Sequence, residues 1–546
     1  MSLRNRIILP VILSAVGVLA GCGGSGTSIT LPTAPASGGF SQSNLSGTYV
    51  FSVSGSDSSS GAPYAMVGTF KANGSGGITG GVLDLNDAAF PASSISPIAN
   101  ASVSGGSYGL GVDGRGQIKL NTGNNTPFTS PIILDFVLQD SGHGIVTEFD
   151  GNASGSGSLD LQSSGTPAGS YAFIFSGVYS SSGAANGVAF STVGNFTLNA
   201  AAMTGLEDFN SSNIPVAAET LSGTFALGPS STPATQITAT GTSNYAITYD
   251  VFAVDATHLK FIEMDPNGTL SGDAFAQTST TMPTGTLAFT LIGGTSQVVT
   301  AAGGFMVTDG AGNITNASTE DINSTSGLVS TSPVTFSGVY TPGGTGRYTL
   351  GDFVNFQGAT EFAAYPSSGG LLLLEIDNAG IMAGAAYPQT STAVPDPSQG
   401  YALNLSGTNL GASTGQAAEV DDIAEFATAA SGLTLTGITD ENFAPSSAPN
   451  YALALSGSYT AADANGRGQL SANAGNSNNS TLNGGFSVYY YTIDGTTFPF
   501  IENDSGQIAA GVFVKQSSTA SSSAATRPHL LVLPPVVRPR IARKQN

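Results

Sequence analysis

Large apolar side chains alternate with small or polar ones in four well-separated stretches. These are Tyr49, Phe51 and Val53; Tyr171, Phe173 and Phe175; Leu287, Phe289 and Leu291; and Tyr401, Leu403 and Leu405. A period of two sends successive side chains to opposite faces, so each stretch reads as a half-buried antiparallel β-strand. A glycine recurs at one fixed distance into each stretch, at Gly55, Gly177, Gly293 and Gly407. Next comes a strand carrying Phe70, Phe196, Phe305 or Phe426, then a Gly- or Ala-rich turn. The return strand ends in Asp-x-Asn: Asp84 and Asn86, Asp208 and Asn210, Asp321 and Asn323, Asp440 and Asn442. Turns such as Asn73-Gly74 and Asp309-Gly310 are strong hairpin signals. After a looser Pro- and Ser-bearing connection, a third hairpin opens at Gly-x-aromatic, with Tyr108, Phe225, Tyr340 or Tyr459 as the aromatic residue.

A fourth hairpin carries the most regular signature. Glu-x-Asp is followed in every copy by Gln at the same spacing: Glu148, Asp150 and Gln162; Glu263, Asp265 and Gln277; Glu375, Asp377 and Gln389; Glu502, Asp504 and Gln516. Self-similarity at a fixed period defines the architecture more firmly than any single motif. The chain is therefore expected to be all-β, with four tandem antiparallel modules of about eight strands each. The modules span residues 45–162, 168–277, 284–389 and 398–516, and linkers rich in Thr, Ser and Pro separate them. Sequential short hairpins favour an up-and-down barrel, which removes exposed edges, over a two-sheet sandwich.

The ends differ from the body. Residues 1–22 begin with Arg4 and Arg6, continue through an apolar run and finish at Leu19-Ala20-Gly21-Cys22. The run is shorter than the roughly 20 residues that span a bilayer but suits a signal peptide. Its last four residues resemble the lipobox of bacterial lipoproteins. That resemblance implies cleavage before Cys22, lipidation of Cys22 and, with Gly23 rather than Asp next, an outer-membrane destination. Acyl chains contribute about 0.8 kcal/mol per buried CH₂, so several of them make a stable anchor. Residues 23–44 read as a flexible tether, and 517–546 as a disordered, basic, Pro-rich tail. The repeats, over 45–516, resemble the Gly-rich tandem β-units of uncharacterised bacterial envelope lipoproteins, a likeness that implies no activity.

Charge narrows the partners. Only 9% of the chain is charged, with 14 Lys and Arg against 35 Asp and Glu. Half of the basic residues lie in the leader and tail, leaving an acidic body that is unsuited to nucleic acid, whose phosphates need clustered Lys and Arg. The expected partners are a membrane, through the lipid, and a surface or envelope ligand. Cys22 is the only cysteine, so neither an intramolecular disulfide nor a thiolate metal site is available. No cofactor is called for.

Candidate chemistry is sparse. His143 and His258 each precede the repeat Glu by the same distance and read as turn residues. Ser107 and Ser413 match Gly-x-Ser-x-Gly, but a nucleophile elbow needs a strand-to-helix turn and a later acid and His. The recurring pairs Glu148 and Asp150, Glu263 and Asp265, Glu375 and Asp377, and Glu502 and Asp504 are weak cation candidates, since carboxylates and Asp-x-Asn supply oxygen ligands. Carboxylates on one strand do not face each other across a cleft as glycoside hydrolysis requires. Strand-end hydrogen bonding is the favoured role. The functional expectation is a lipid-anchored envelope protein displaying non-catalytic modules for adhesion or ligand binding. The alternatives are a periplasm-facing structural component and a carboxylate-based hydrolase.

Overall fold

A computed structural model describes residues 39–89, 97–123, 126, 128, 130–180, 187–199, 202–226, 234–240, 246–295, 298–327, 331–410, 418–430, 432–444, 449–475 and 485–519. Cys22, the lipobox, most of the tether and nearly all of the tail lie outside the described residues. The described chain is almost entirely β, and its one helical element is a 3-10 turn at Gln42–Asn44. None of its helices is long and apolar enough to cross a membrane.

The second, third and fourth modules are closed eight-stranded antiparallel barrels, with strands in sequence order around the ring. The first is a nine-stranded sheet. Its ring also closes, because Pro63–Asn73 pairs with Gly77–Asp87, and Gly77–Asp87 pairs onward with Gly106–Leu110. The extra strand, Ile98–Val103, and its successor Gly106–Leu110 correspond to one long strand in the other modules, such as Ile214–Ala226. This corrects the expected hairpin plan. Gly-x-aromatic does not open a third hairpin in modules two to four. It lies within a strand that begins several residues earlier and has already paired back on the strand before it.

Barrel closure explains the recurring glycine. The opening strand of each module pairs with its last strand, as Tyr171–Tyr179 does with Gly268–Ala276. A Cβ added at Gly55, Gly177 or Gly293 would lie 1.9 Å from a carbonyl oxygen of that last strand. Only glycine permits the two backbones to approach so closely. Inside, the alternating aromatics fill the barrels. Phe173, Phe175, Phe196 and Phe261 pack ring to ring in module two, and Tyr401, Phe426, Phe498 and Phe513 do so in module four. With their interiors filled by side chains, these small barrels behave as packed cores.

Candidate functional site

Strand alternation decides where the repeated polar residues point. In module one, Val146 is in the barrel core, so Glu148 on the same strand face also points inward, at the end of the barrel. Phe261, Leu373 and Phe500 place Glu263, Glu375 and Glu502 in the same way. All four Glu side chains are at most 1% exposed. Each lies against the Asp two residues on, and burial, followed by that neighbouring carboxyl, raises the Glu pKa in every copy. Glu375 is pushed up to about 9. The Tyr64 hydroxyl donates to the Glu148 carboxylate.

The Asp members tie down turns. Asp265 accepts from the backbone N–H groups of Thr248 and Asn267 at 3.0 Å each, and Asp150 likewise accepts from Ile133 and Asn152. Burial works to raise Asp377, but donation from the Thr360 hydroxyl and nearby N–H groups outweighs it and holds the carboxyl low. Each pair is thus a buried Glu, raised above the usual carboxylate range by burial and its neighbour, beside an Asp that caps a turn. Among the described residues, no group of three or more His, Cys, Asp or Glu side chains is arranged to hold a metal ion.

One consequence is testable through pH. A Glu whose folded pKa lies above the ordinary value of about 4.3 adds stability that is complete below that value and is lost as pH rises through the folded pKa. Glu375→Gln removes this loss. The variant should match the parent near pH 5 and surpass its thermal midpoint near pH 9, as read by calorimetry at both pH values.

The other repeated polar residues leave their own module. Leu83 and Leu85 lie in the first core, so Asp84 and Asn86 face outward. The Asn86 amide donates to the carbonyls of Glu263 and Gly268 in module two, at 2.8 Å each. Asn210 donates to the Glu375, Asp377 and Gly380 carbonyls of module three. Asn323 donates to the Glu502, Asp504 and Gln507 carbonyls of module four at 2.9, 2.8 and 3.0 Å. Asn442, in the last module, returns to the Glu148 and Ala153 carbonyls of module one. The terminal Gln residues run the same way. Gln162 reaches the Ala253 carbonyl, Gln277 that of Pro366, and Gln389 those of Asn465 and Thr492. Gln516 returns to the Asp113 and Leu138 carbonyls of module one.

The four modules therefore form a closed head-to-tail cycle. At every seam early strands of one module pack on the last three strands of the next, chiefly the first two strands at three seams and Pro63–Asn73 with Gly77–Asp87 at the seam between modules one and two. This is a heterologous interface whose repetition closes into a ring. The Asp of Asp-x-Asn completes the pattern. Asp208 takes a two-pronged contact from Arg347, with Nε to Oδ2 at 2.8 Å and Nη2 to Oδ1 at 2.6 Å. Asp321 is bound by Arg467 at 2.7 and 2.9 Å, and Asp440 by Arg115 at 3.3 Å. These three are the only Arg residues between positions 45 and 516, and all of them sit at seams.

The two candidate His residues differ in role. His143 caps a turn with Asp140. His258 is buried and bonds Asp273 at 2.7 Å, next to Lys260, which bridges Asp273 to Asp160 of module one. Burial, the largest single influence, works to lower Lys260, but the two carboxylates together raise it.

No family model matches the chain, and no curated protein sequence matches it. Among solved structures it is similar to transferrin-binding protein B, a vaccine antigen, from Haemophilus parasuis. That match has 10% identity and a TM-score of 0.19, and it covers 73% of this chain and 86% of the other. The isotype 1 protein from serogroup B Neisseria meningitidis matches at 10% identity and a TM-score of 0.21, covering 68% and 82%. Overlays this loose carry no argument about function.

Proposed function

We propose that this chain is a lipid-anchored envelope protein whose four modules act together as one non-catalytic platform, binding a surface ligand through the exterior of the ring. The observation that carries this reading is the use made of the repeated polar residues. Asp-x-Asn and the terminal Gln residues staple module to module, while each Glu-x-Asp pair sets a buried Glu beside a half-buried, turn-capping Asp. The four Glu side chains are at most 1% exposed and each lies beside its Asp on one strand, an arrangement that speaks against the hydrolase alternative. Aromatic filling of the barrels leaves the outer loops and strand faces for recognition. The leader and Cys22 supply the anchor in this reading.

Protease treatment of intact cells, with a lysed control, tests it. Digestion of the body on intact cells, together with binding of the purified protein to cells, matrix or glycans, is the expected result. Protection until lysis would overturn the surface placement and leave the periplasm-facing structural component in its place.

A further inference from the structure

The wall of barrel three is zipped unevenly. Its strands Arg347–Val354 and Phe362–Ser367 share three register pairs, Tyr348 to Leu350 against Ala364 to Phe362. The equivalent strands of modules two and four share seven each. Asp352 and Asn355 take left-handed backbone, with φ of 50° and 67°, and turn the chain off the ladder. Asp and Asn tolerate that conformation better than most residues. The segment that follows, residues 355–359, lies across this end of the barrel as a strap. Backbone N–H groups here find carboxylates in place of a neighbouring strand: Gln357 donates to Glu320, and Thr360 and Glu361 donate to Asp377.

The strap fills the barrel with its own groups. Phe356 lies 4.9 Å from both Phe336 and Phe353 between ring centres, and 5.9 Å from Phe362. Glu320 faces the interior, because its neighbour Asp321 points out to Arg467 of module four. It is 1% exposed. One of its oxygens, Oε2, accepts from the Gln357 N–H at 2.9 Å, and the other makes no hydrogen bond among the described residues. Interior Glu residues elsewhere are held by their own wall. Glu207 accepts from the Thr192 hydroxyl, and Glu441 from the Asn450 amide, at 2.6 Å each. Glu320 relies on the strap.

A phenyl ring and an N–H donor, joined through the Cβ, Cα and carbonyl carbon of Phe356, thus occupy this space from within the chain. We propose that barrel three is a binding pocket for an arylalkylamine, covered by the strap, with the ligand's ring replacing Phe356 and its nitrogen replacing the Gln357 N–H on Glu320. This interior site is separate from the exterior recognition proposed above and does not depend on it. A carboxylate accepts more strongly from an ammonium group than from a neutral amide. The faces of Phe289, Phe336 and Phe362 suit a cation as well as a ring. Burial pushes Glu320 up to about 8 against the pull of the Gln357 and Gly358 N–H groups. An ammonium group in contact favours its charged form. The acidic body favours the approach of a cation. Because the strap competes for the same space, affinity is reduced by the fraction of molecules in which it is open.

The probe is 3-phenylpropylamine, which carries ring and nitrogen three carbons apart, titrated calorimetrically into the full chain near neutral pH. Its anionic counterpart, 3-phenylpropionate, serves as the control. The amine should bind and the propionate should not. Phe356→Ala removes the competing ring and should tighten amine binding by about tenfold or more. Glu320→Gln should weaken it by about tenfold or more. One readout needs no variant: in the parent chain, saturating amine should speed hydrogen exchange at the Gln357 N–H, whose acceptor the ligand takes. Equal binding of amine and propionate, an unchanged amine affinity in Glu320→Gln, or no binding of millimolar amine to either the parent or Phe356→Ala would overturn the proposal. Unchanged or slower exchange at Gln357 with amine bound would overturn it too.

Discussion

Replacing Arg347 with Met is expected to lower stability by about 3–5 kcal/mol, the usual cost of stripping one partner from a buried ion pair. The Asp208 side chain is 0% exposed. Without the guanidinium it keeps only the Tyr365 hydroxyl and the Ala218 N–H as donors. A carboxylate so placed must either carry an uncompensated charge or take up a proton, and both options disfavour the seam. Asp208→Asn in the same chain should recover part of the loss, because it removes the stranded charge while keeping the shape. Hydrogen exchange suits the measurement, since a chain of several modules need not unfold in one step. Protection should fall first on the two strand faces of the seam between modules two and three. A loss below about 1 kcal/mol, the range of exposed pairs, would show that water reaches this site.

Asn323→Ala should cost about 1–3 kcal/mol for the buried carbonyls left without a donor, towards the upper end because three of them converge on one amide. Asn323→Asp gives a sharper comparison. It is close to isosteric but replaces the NH₂ with an acceptor, so it sets a carboxylate against the Glu502, Asp504 and Gln507 oxygens. It should destabilise more than Ala at neutral pH, and the difference should shrink as pH falls and the Asp is protonated. Urea denaturation followed by exchange at the turn of module four would distinguish the two. If Ala proved worse than Asp at neutral pH, the amide would not be acting as the donor at this seam.

The barrel class was legible because the strands follow one another as hairpins and their alternation is strict. The motif copies were equally plain. What the sequence concealed was the pairing between copies, because Asn210 meets Glu375 across another module's worth of chain, and period alone carries no information on which distant turn a side chain reaches. A usable signal was nonetheless present. Asn442 and Gln516 repeat in the fourth copy the residues that the first three copies send to their successors, and the structure returns them to the first. The arginines were harder to find. Arg115 and Arg467 share the text Gly-Arg-Gly-Gln, whereas Arg347 is followed by Tyr and Thr, which hid its equivalence. The long returning strand of modules two to four was hidden because its Pro- and Ser-bearing start reads as a loose connection with the strand opening only at Gly-x-aromatic, while Ser212-Asn213 makes a tight reversal.

The ring also brings the two ends of the folded chain together, with the Asn44 amide donating to the Ser518 carbonyl at 2.7 Å. Where the chain is cut is therefore a matter of connection and not of architecture. A permuted polypeptide with Ser518 spliced to Gly39 and new ends in the segment between residues 162 and 168 would retain all four seams, as tolerated permutations do at exposed joints. It would also move the unspanned seam from modules four and one to modules one and two, leaving the Asn86 contacts with Glu263 and Gly268 at the one joint with no covalent connection.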